Sequence, residues 1–251
     1  MAKKKTESTT VEEAVYVLEK DKKNPEPVEK KTDLSQNLVT QTEDFFENPK
    51  NRNVVFIGLG VVALLIAGFF GFNYYKRTQN VEAQSLMSPA VFLYEADSLK
   101  KALNGGGANE GLQTIAEDYS LTDAGNLADF YVGAAHLKEG RFDEAIEFLK
   151  KFKSNDLLVQ ARAYCLIGDA YLEKDELSDA IRYYKLASEY KANKFTTPPY
   201  LMKLALAQEK NKDLEAAIAT YEKIISEYSD SMEGQQAAKK HKARLEGLTR
   251  K

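Results

Sequence analysis

Two histidines and one cysteine are the side chains of this chain best suited to nucleophilic or metal chemistry. His136 and His241 lie far apart, and neither belongs to an H-E-x-x-H or paired C-x-x-C motif. Cys165 is the only cysteine, so it can form no internal disulfide, and no histidine lies near it in sequence to take its proton. We therefore expect a packed histidine at 136, a buried or groove-lining thiol at 165, and no metal site.

Two glycine-rich stretches imitate nucleotide-binding loops. Gly58, Gly60 and Ala63 have the spacing of a dinucleotide turn, but neither the preceding strand nor the amphipathic βαβ unit of such a site is present. The glycines at 105–107 are followed by no Lys-Ser or Lys-Thr pair and favour a flexible turn between helices. Together with the absence of a nucleophile motif, this predicts a protein that is not an enzyme and binds no cofactor.

The most apolar segment of the chain runs from residue 54 to residue 75. These 22 residues carry no charge, although 29% of the whole chain is charged. As a helix they would span about 33 Å, close to the hydrocarbon thickness of a bilayer. Tyr74 and Tyr75 stand where an aromatic belt belongs. We therefore predict a single transmembrane helix at 53–76, in contact with the lipid bilayer through residues 54–75.

The flanking residues of this helix do not determine its orientation, and the charge of the chain does not favour a nucleic-acid partner. Two basic residues precede the segment and two follow it, so the positive-inside rule leaves the topology open. Residues 1–52 are predicted to be a charged, mostly disordered tail, in which 34–52 could form a short interfacial helix. The net charge of −3 offers no basic field, so we expect no nucleic-acid partner.

Residues 126–224 contain three segments that align without gaps. The segments are 126–152, 161–187 and 198–224, offset by 35 and 37 residues. Each has two small residues and one large residue at the same places. These residues are Gly133, Ala145 and Leu149 in the first segment, Gly168, Ala180 and Tyr184 in the second, and Ala205, Ala217 and Tyr221 in the third.

Helix packing explains why these residue types recur. Each segment reads as two antiparallel helices joined by a short polar turn, and only Gly or Ala fits where their backbones come close. The large residue farther along the second helix is expected to fill the space towards the next hairpin. One hairpin cannot bury its apolar face alone, so the hairpins should stack.

This pattern resembles the tetratricopeptide repeat, a helix–turn–helix unit with small residues at its eighth and twentieth places. The middle segment matches it best, with Tyr164, Gly168, Tyr171, Ala180 and Tyr184 in register. The resemblance implies an all-α fold: the transmembrane helix followed by a tetratricopeptide-repeat α-solenoid over 77–251. The predicted parts are clear repeats at about 126–153, 161–190 and 198–228, a degenerate unit at about 80–120, whose first helix would be one long helix over 78–103, and a capping helix at 231–246.

In such solenoids the first helices line a concave groove, which predicts a binding surface for an extended or helical peptide. The groove positions carried over from the repeat are Phe130, Ala134, Leu137, Lys138, Arg162, Cys165, Asp169, Leu172, Glu173, Met202, Leu206 and Glu209.

The arrangement as a whole resembles the ancillary subunit family of the Sec translocon. The stretch EDFFENPKNR leads into the anchor, FNYYKRTQNVEAQS leaves it, and degenerate repeats follow. The resemblance implies a single-pass protein of the bacterial inner membrane with a periplasmic repeat domain. It implies as partners the Sec translocon, a periplasmic chaperone or prolyl isomerase, and secreted chains. An adaptor for envelope assembly or cell division, and a regulator with its repeats in the cytoplasm, remain alternatives.

Overall fold

The computed structural model describes residues 47–107 and 109–249, and within these ranges it contains helices and no β-strand. The chain divides into two compact units, one up to Phe70 and one from Gly71 onward. The predicted disordered tail and most of the predicted interfacial helix, residues 1–46, lie outside the described residues.

The first long helix among the described residues, α1, runs from Pro49 to Glu95 and contains the apolar segment. Its most apolar stretch has a mean hydropathy of 2.6 and no buried residue. Leu64, for example, is 74% exposed. Such exposure is unfavourable in water, because a large apolar side chain gains about 1.5–3 kcal/mol on full burial. By length and composition, α1 could therefore span a membrane.

The C-terminal end of α1 differs from the prediction of one helix over 78–103. The helix stops at Glu95, where Asp97 takes a positive φ of 57°. The amide of Ser98 donates to the Leu93 carbonyl at 2.9 Å, and that of Asp97 donates to Tyr94 at 3.1 Å, which together form a Schellman motif. The two short helices α2, Leu99–Asn104, and α3, Leu112–Asp118, follow.

The glycines at 105–107 therefore do not form the turn after the first long helix, as predicted, but separate α2 from α3. Gly105 has a φ of 76°, and a Cβ on Gly111 would lie 2.1 Å from the Leu103 carbonyl oxygen. The loop thus doubles back on the end of α2 so closely that only glycine fits. In chain order, α2 and α3 take the place of one second helix that this loop interrupts.

Three helical hairpins come next, and they share one type of turn. Gly140, Asp175 and Lys212 have φ values of 77°, 60° and 64°, and each closes a Schellman motif like that of Asp97. The next helix begins two residues after each of them. The helices are α4, Asp123–Lys138; α5, Phe142–Lys151; α6, Val159–Glu173; α7, Leu177–Glu189; α8, Thr197–Lys210; and α9, Leu214–Glu227.

The close crossings predicted from small residues are present. A Cβ on Gly133 would lie 2.6 Å from Cγ of Leu149, and one on Gly168 would lie 2.7 Å from the Tyr184 ring. In both hairpins the small residue faces the large residue 16 positions later. The Tyr184 ring also faces the next hairpin, since Nζ of Lys203 lies 5.6 Å from its centroid.

The hydrophobic core continues from α1 to the last helix. Ala83 and Ala90 of α1 are fully buried in a cluster that also contains Ala128 and Val132 of α4. A second cluster extends through α5 to α9 and ends at Ala238 and Leu245. The predicted capping region forms a π-helical segment, Glu233–Ala237, followed by α10, Ala238–Thr249. Stacking thus buries the apolar faces in succession.

Candidate protein-binding groove

The twelve predicted groove residues all lie on α4, α6 and α8, the first helices of the three hairpins, but they differ in exposure. Ala134 is 4% exposed and Cys165 is fully buried, so these two residues offer no surface to a ligand. The partly buried positions are Phe130, Leu137, Asp169, Leu172, Met202 and Glu209, and the exposed ones are Lys138, Arg162, Glu173 and Leu206.

Residues near the C-terminal end of α1 engage the α4 part of the groove. Nζ of Lys138 lies 3.1 Å from Oδ1 of Asp97 and 4.7 Å from the Tyr94 ring centroid. The Phe130 ring packs against Phe152 with centroids 5.3 Å apart. Lys138 and Phe130, two of the predicted groove residues, therefore already have partners within the chain.

A carboxylate joins α6 to α8 in the middle of the groove. Asp169 accepts a hydrogen bond from the Tyr184 hydroxyl at 2.7 Å and pairs with Nζ of Lys203 at 2.6 Å. Burial of the hydroxyl and the nearby carboxylate raise the pKa of Tyr184 well above its ordinary value, so the phenol remains a donor. The half-exposed Lys203 ammonium is therefore paired with a carboxylate that Tyr184 holds in place.

The far end of the groove contains a second carboxylate cluster. Glu209 accepts from the Tyr221 hydroxyl at 2.6 Å and is paired with Arg244 and with Nδ1 of His241 at 3.4 Å. Burial opposes ionisation of Glu209, but the hydrogen bonds from Tyr221 and Arg244 outweigh it and hold its pKa below the ordinary value. Glu209 therefore stays ionised and forms its contacts with Arg244 and His241 of α10, the helix that caps the solenoid.

Sequence reasoning missed Lys203 as a groove residue and Tyr184 as the buried hydroxyl that donates to Asp169. Lys203 follows Asp169 by 34 residues, close to one repeat, so its side chain meets Asp169 on the neighbouring first helix. Opposite charges one repeat apart on successive first helices are the signal that could have identified the pair. The role of Tyr184 could not be identified in this way, because the hydrogen bond from its hydroxyl to Asp169 depends on the crossing angle within the hairpin.

Two of the three side chains first considered for chemistry, His136 and Cys165, are packed inside the solenoid. His136 is 2% exposed, lies 5.6 Å from the Phe148 ring, and has no hydrogen-bond partner on either ring nitrogen within the described residues. Burial lowers its pKa, so it stays neutral. Burial also raises the pKa of Cys165 to about 12, which removes its thiolate at neutral pH. Both residues therefore serve packing.

Asp129 of α4 is a buried carboxyl group whose charge lowers stability at neutral pH. It is 8% exposed, and burial raises its pKa from 3.8 to about 6, against the opposing attraction of Lys151. Because the folded pKa is above the unfolded one, folding binds the proton, and stability falls as pH rises through this window. The cost is complete above about pH 6 and absent below about pH 4.

We expect Asp129→Asn to stabilise the protein at pH 7.5 by about 1–3 kcal/mol, because the amide carries no charge to desolvate. The advantage should shrink as pH falls from 6 to 4. Thermal unfolding of the wild type and the variant, followed by circular dichroism across this pH range, measures the difference in stability. His136 is present in both proteins, so its titration cancels in that difference. An advantage that does not change with pH would show that the charge of Asp129 is not the cause.

Within residues 47–107 and 109–249, no three histidine, cysteine, aspartate or glutamate side chains lie close enough together to hold a metal ion. Comparison with known proteins identifies the repeats of this part of the chain. Sequence profiles described as tetratricopeptide repeat match residues 161–194 and 200–231. The chain contains tetratricopeptide repeats. The curated proteins include no significant sequence match.

Solved structures support the same fold. Two crystal structures of nearly identical tetratricopeptide-like repeats, from a Podosopora anserina protein assigned as a kinesin light chain, superpose with a TM-score of 0.51 and 13% sequence identity. Each match covers 65% of this chain, and 84% and 85% of the respective solved chains. At this identity the similarity concerns the fold alone. Tetratricopeptide repeats are typical of non-enzymatic scaffolds that bind other proteins, and this chain has that architecture.

Proposed function

We propose that this protein is a membrane-anchored, non-enzymatic scaffold that binds a peptide segment of a partner protein in the groove of α6 and α8. The observation that carries the proposal is that one continuous helix, Pro49–Glu95, holds an apolar segment with no buried residue in its most apolar stretch and also supplies core residues such as Ala83 and Ala90 to the repeats. A helix that is apolar all round belongs in lipid, so the repeats are held at a membrane surface.

The chemistry of the open groove favours a peptide of mixed character. Leu206 is 42% exposed beside the partly buried Met202, and the Asp169–Lys203 pair lies in the same groove. An amphipathic helix or an extended strand with apolar side chains and one or more charges satisfies both features. A peptide with charged side chains alone could pair with Asp169 or Lys203 but would leave the apolar side chains of Leu206 and Met202 uncovered.

For the partner we propose components of protein export: the Sec translocon, a periplasmic chaperone or prolyl isomerase, and secreted chains. The support is the resemblance of residues 41–251 to the ancillary translocon subunit family. That resemblance also favours a bacterial inner-membrane location with the repeats in the periplasm. A reporter fused after Lys251 tests the orientation: alkaline phosphatase activity indicates the periplasm, and green fluorescence indicates the cytoplasm.

We expect the full-length protein, purified in a mild detergent, to retain Sec subunits or a periplasmic chaperone. The matched control is Lys203→Glu, which places a second negative charge beside Asp169 and should reduce recovery of a partner held in the groove. Recovery of neither class of protein would contradict the export assignment. Equal recovery of the partner with the wild type and with Lys203→Glu would place the contact outside the groove.

Photocrosslinking tests the groove directly. A photoreactive amino acid at Met202, on α8, should crosslink to the partner in membranes, because this side chain lies in the open part of the groove. The same group at Lys185, an exposed position on the second helix α7, is the control and should give no such product. Crosslinks from position 185 and none from position 202 would assign binding to the other face.

A further inference from the structure

The two edges of the solenoid differ in chemistry. Within the hairpins, the turns at 139–141, 174–176 and 211–213 contain only glycine and polar residues. Ion pairs link the middle turn to both neighbouring hairpins, since Lys174 pairs with Asp143 at 2.7 Å and Asp175 pairs with Lys210 at 2.9 Å. This edge is fully polar and suited to water.

Each of the four loops that precede or follow a hairpin, by contrast, exposes a large apolar side chain. Leu121 is 63% exposed, Leu158 is 53%, Phe195 is 90% and Met232 is 87%. Single exposed apolar residues are common on proteins, but four equivalent loops with the same property indicate a contact surface. We call these residues the apolar edge.

Hydrogen bonds and a shared cleft connect the neighbouring loops along this edge. The Asn126 side chain exchanges two hydrogen bonds of 2.9 Å with the backbone of Lys153, which links the start of α4 to the second loop. The Tyr190 hydroxyl donates to the Ser154 carbonyl at 2.8 Å, which links the third loop to the second. Phe195 and Met232 line one cleft, which links the third loop to the fourth. The loops that carry the apolar edge therefore lie next to one another along one side of the solenoid.

Its first loop lies beside the last apolar turns of α1. Leu121 shares a small pocket with Phe72 and Tyr75. Nζ of Lys76 lies 3.7 Å from the Asp123 carboxylate, and Asn80 accepts from the amide of Ala124 at 2.9 Å. These contacts fix the loop at the level along α1 that Phe72 and Tyr75 occupy. Those two residues end the apolar segment, where a spanning helix meets the headgroup region.

We infer that the apolar edge is a membrane-contact surface, which lies against the lipid headgroup region and orients the repeats on the bilayer. The inference rests on the proposed membrane anchor. If Phe72 and Tyr75 lie at the interface, then Leu121 beside them lies there too, and Leu158, Phe195 and Met232 extend the contact. Apolar side chains that enter the boundary of headgroups and acyl chains leave water, which gives the exposed side chains a favourable environment. The polar edge would face away from the lipid.

The chain contains no tryptophan, so a single introduced tryptophan reports on one position. The full-length protein would be reconstituted into vesicles of phosphatidylethanolamine and phosphatidylglycerol that contain lipids with brominated acyl chains. The variants are Leu121→Trp and Phe195→Trp on the apolar edge, and Tyr75→Trp as the reference for the anchor. Leu206→Trp, in the groove and 42% exposed, is the matched control.

We expect brominated lipids to quench Leu121→Trp and Phe195→Trp at least about twofold more than Leu206→Trp. Quenching of Tyr75→Trp without quenching of Leu121→Trp would overturn the inference and leave the anchor intact. Absence of quenching at position 75 would overturn the anchor itself. Quenching at position 121 but not at 195 would overturn the extension along the edge. Blue-shifted emission of these two variants in native membranes, without quenching by brominated lipids, would show that the edge binds a protein and would overturn the inference.

Discussion

Gly168→Ala should destabilise the repeats by about 2–3 kcal/mol, because the new methyl group would overpack a closely packed crossing. Its Cβ would lie 2.7 Å from two atoms of the Tyr184 ring, and Tyr184 is fully buried. The ring cannot move away freely, because its hydroxyl is bonded to Asp169. Thermal or urea unfolding of the full-length protein in detergent, followed by circular dichroism, measures the effect.

A double-mutant cycle separates this clash from a general intolerance of substitution. In a Tyr184→Ala background the ring is absent, so Gly168→Ala should cost less than about 1 kcal/mol. Gly247→Ala on α10 is the matched control, because a Cβ there meets nothing within 4 Å, and helix propensity should make it neutral or stabilising. An equal cost of Gly168→Ala in both backgrounds would refute the packing explanation.

Leu64→Arg combined with Leu65→Arg should release the protein from membranes. Two charges at the centre of the apolar segment cost about 5–7 kcal/mol on insertion scales, which exceeds what one anchor of this length tolerates. Both side chains are exposed and lie far from the repeats in sequence, so the fold of the repeats should not change. The measurement is the partition between pellet and supernatant after carbonate extraction.

Two controls make the anchor experiment specific. Leu64→Ala with Leu65→Ala keeps the segment apolar and should remain in the pellet. Val81→Arg adds a charge at a similarly exposed position beyond the segment and should also remain there. If the double arginine variant stays in the pellet while its repeats are folded, the proposed membrane anchor is wrong, and the exposed apolar surface must bind a protein.

Patterns of residue type were sufficient to predict much of this protein. The small residues at 133, 168 and 205 and the large ones 16 positions later defined hairpins that the structure contains, because a helix crossing accepts only certain side-chain volumes. The uncharged segment 54–75 likewise identified the one helix of the described residues that could span a membrane, since apolarity all round a helix is visible in sequence.

Features that depend on backbone paths and on contacts between helices could not be predicted in this way. Asp97, and not the tri-glycine, ends the first long helix. Asp97 has a left-handed backbone conformation, and the amides of Asp97 and Ser98 donate the two hydrogen bonds of the Schellman motif. Burial removed Ala134 and Cys165 from the accessible groove surface, and the Asp169–Lys203 contact formed only when two first helices lay side by side. Periodicity gives the face of a helix, whereas neighbouring helices determine how much of that face remains exposed.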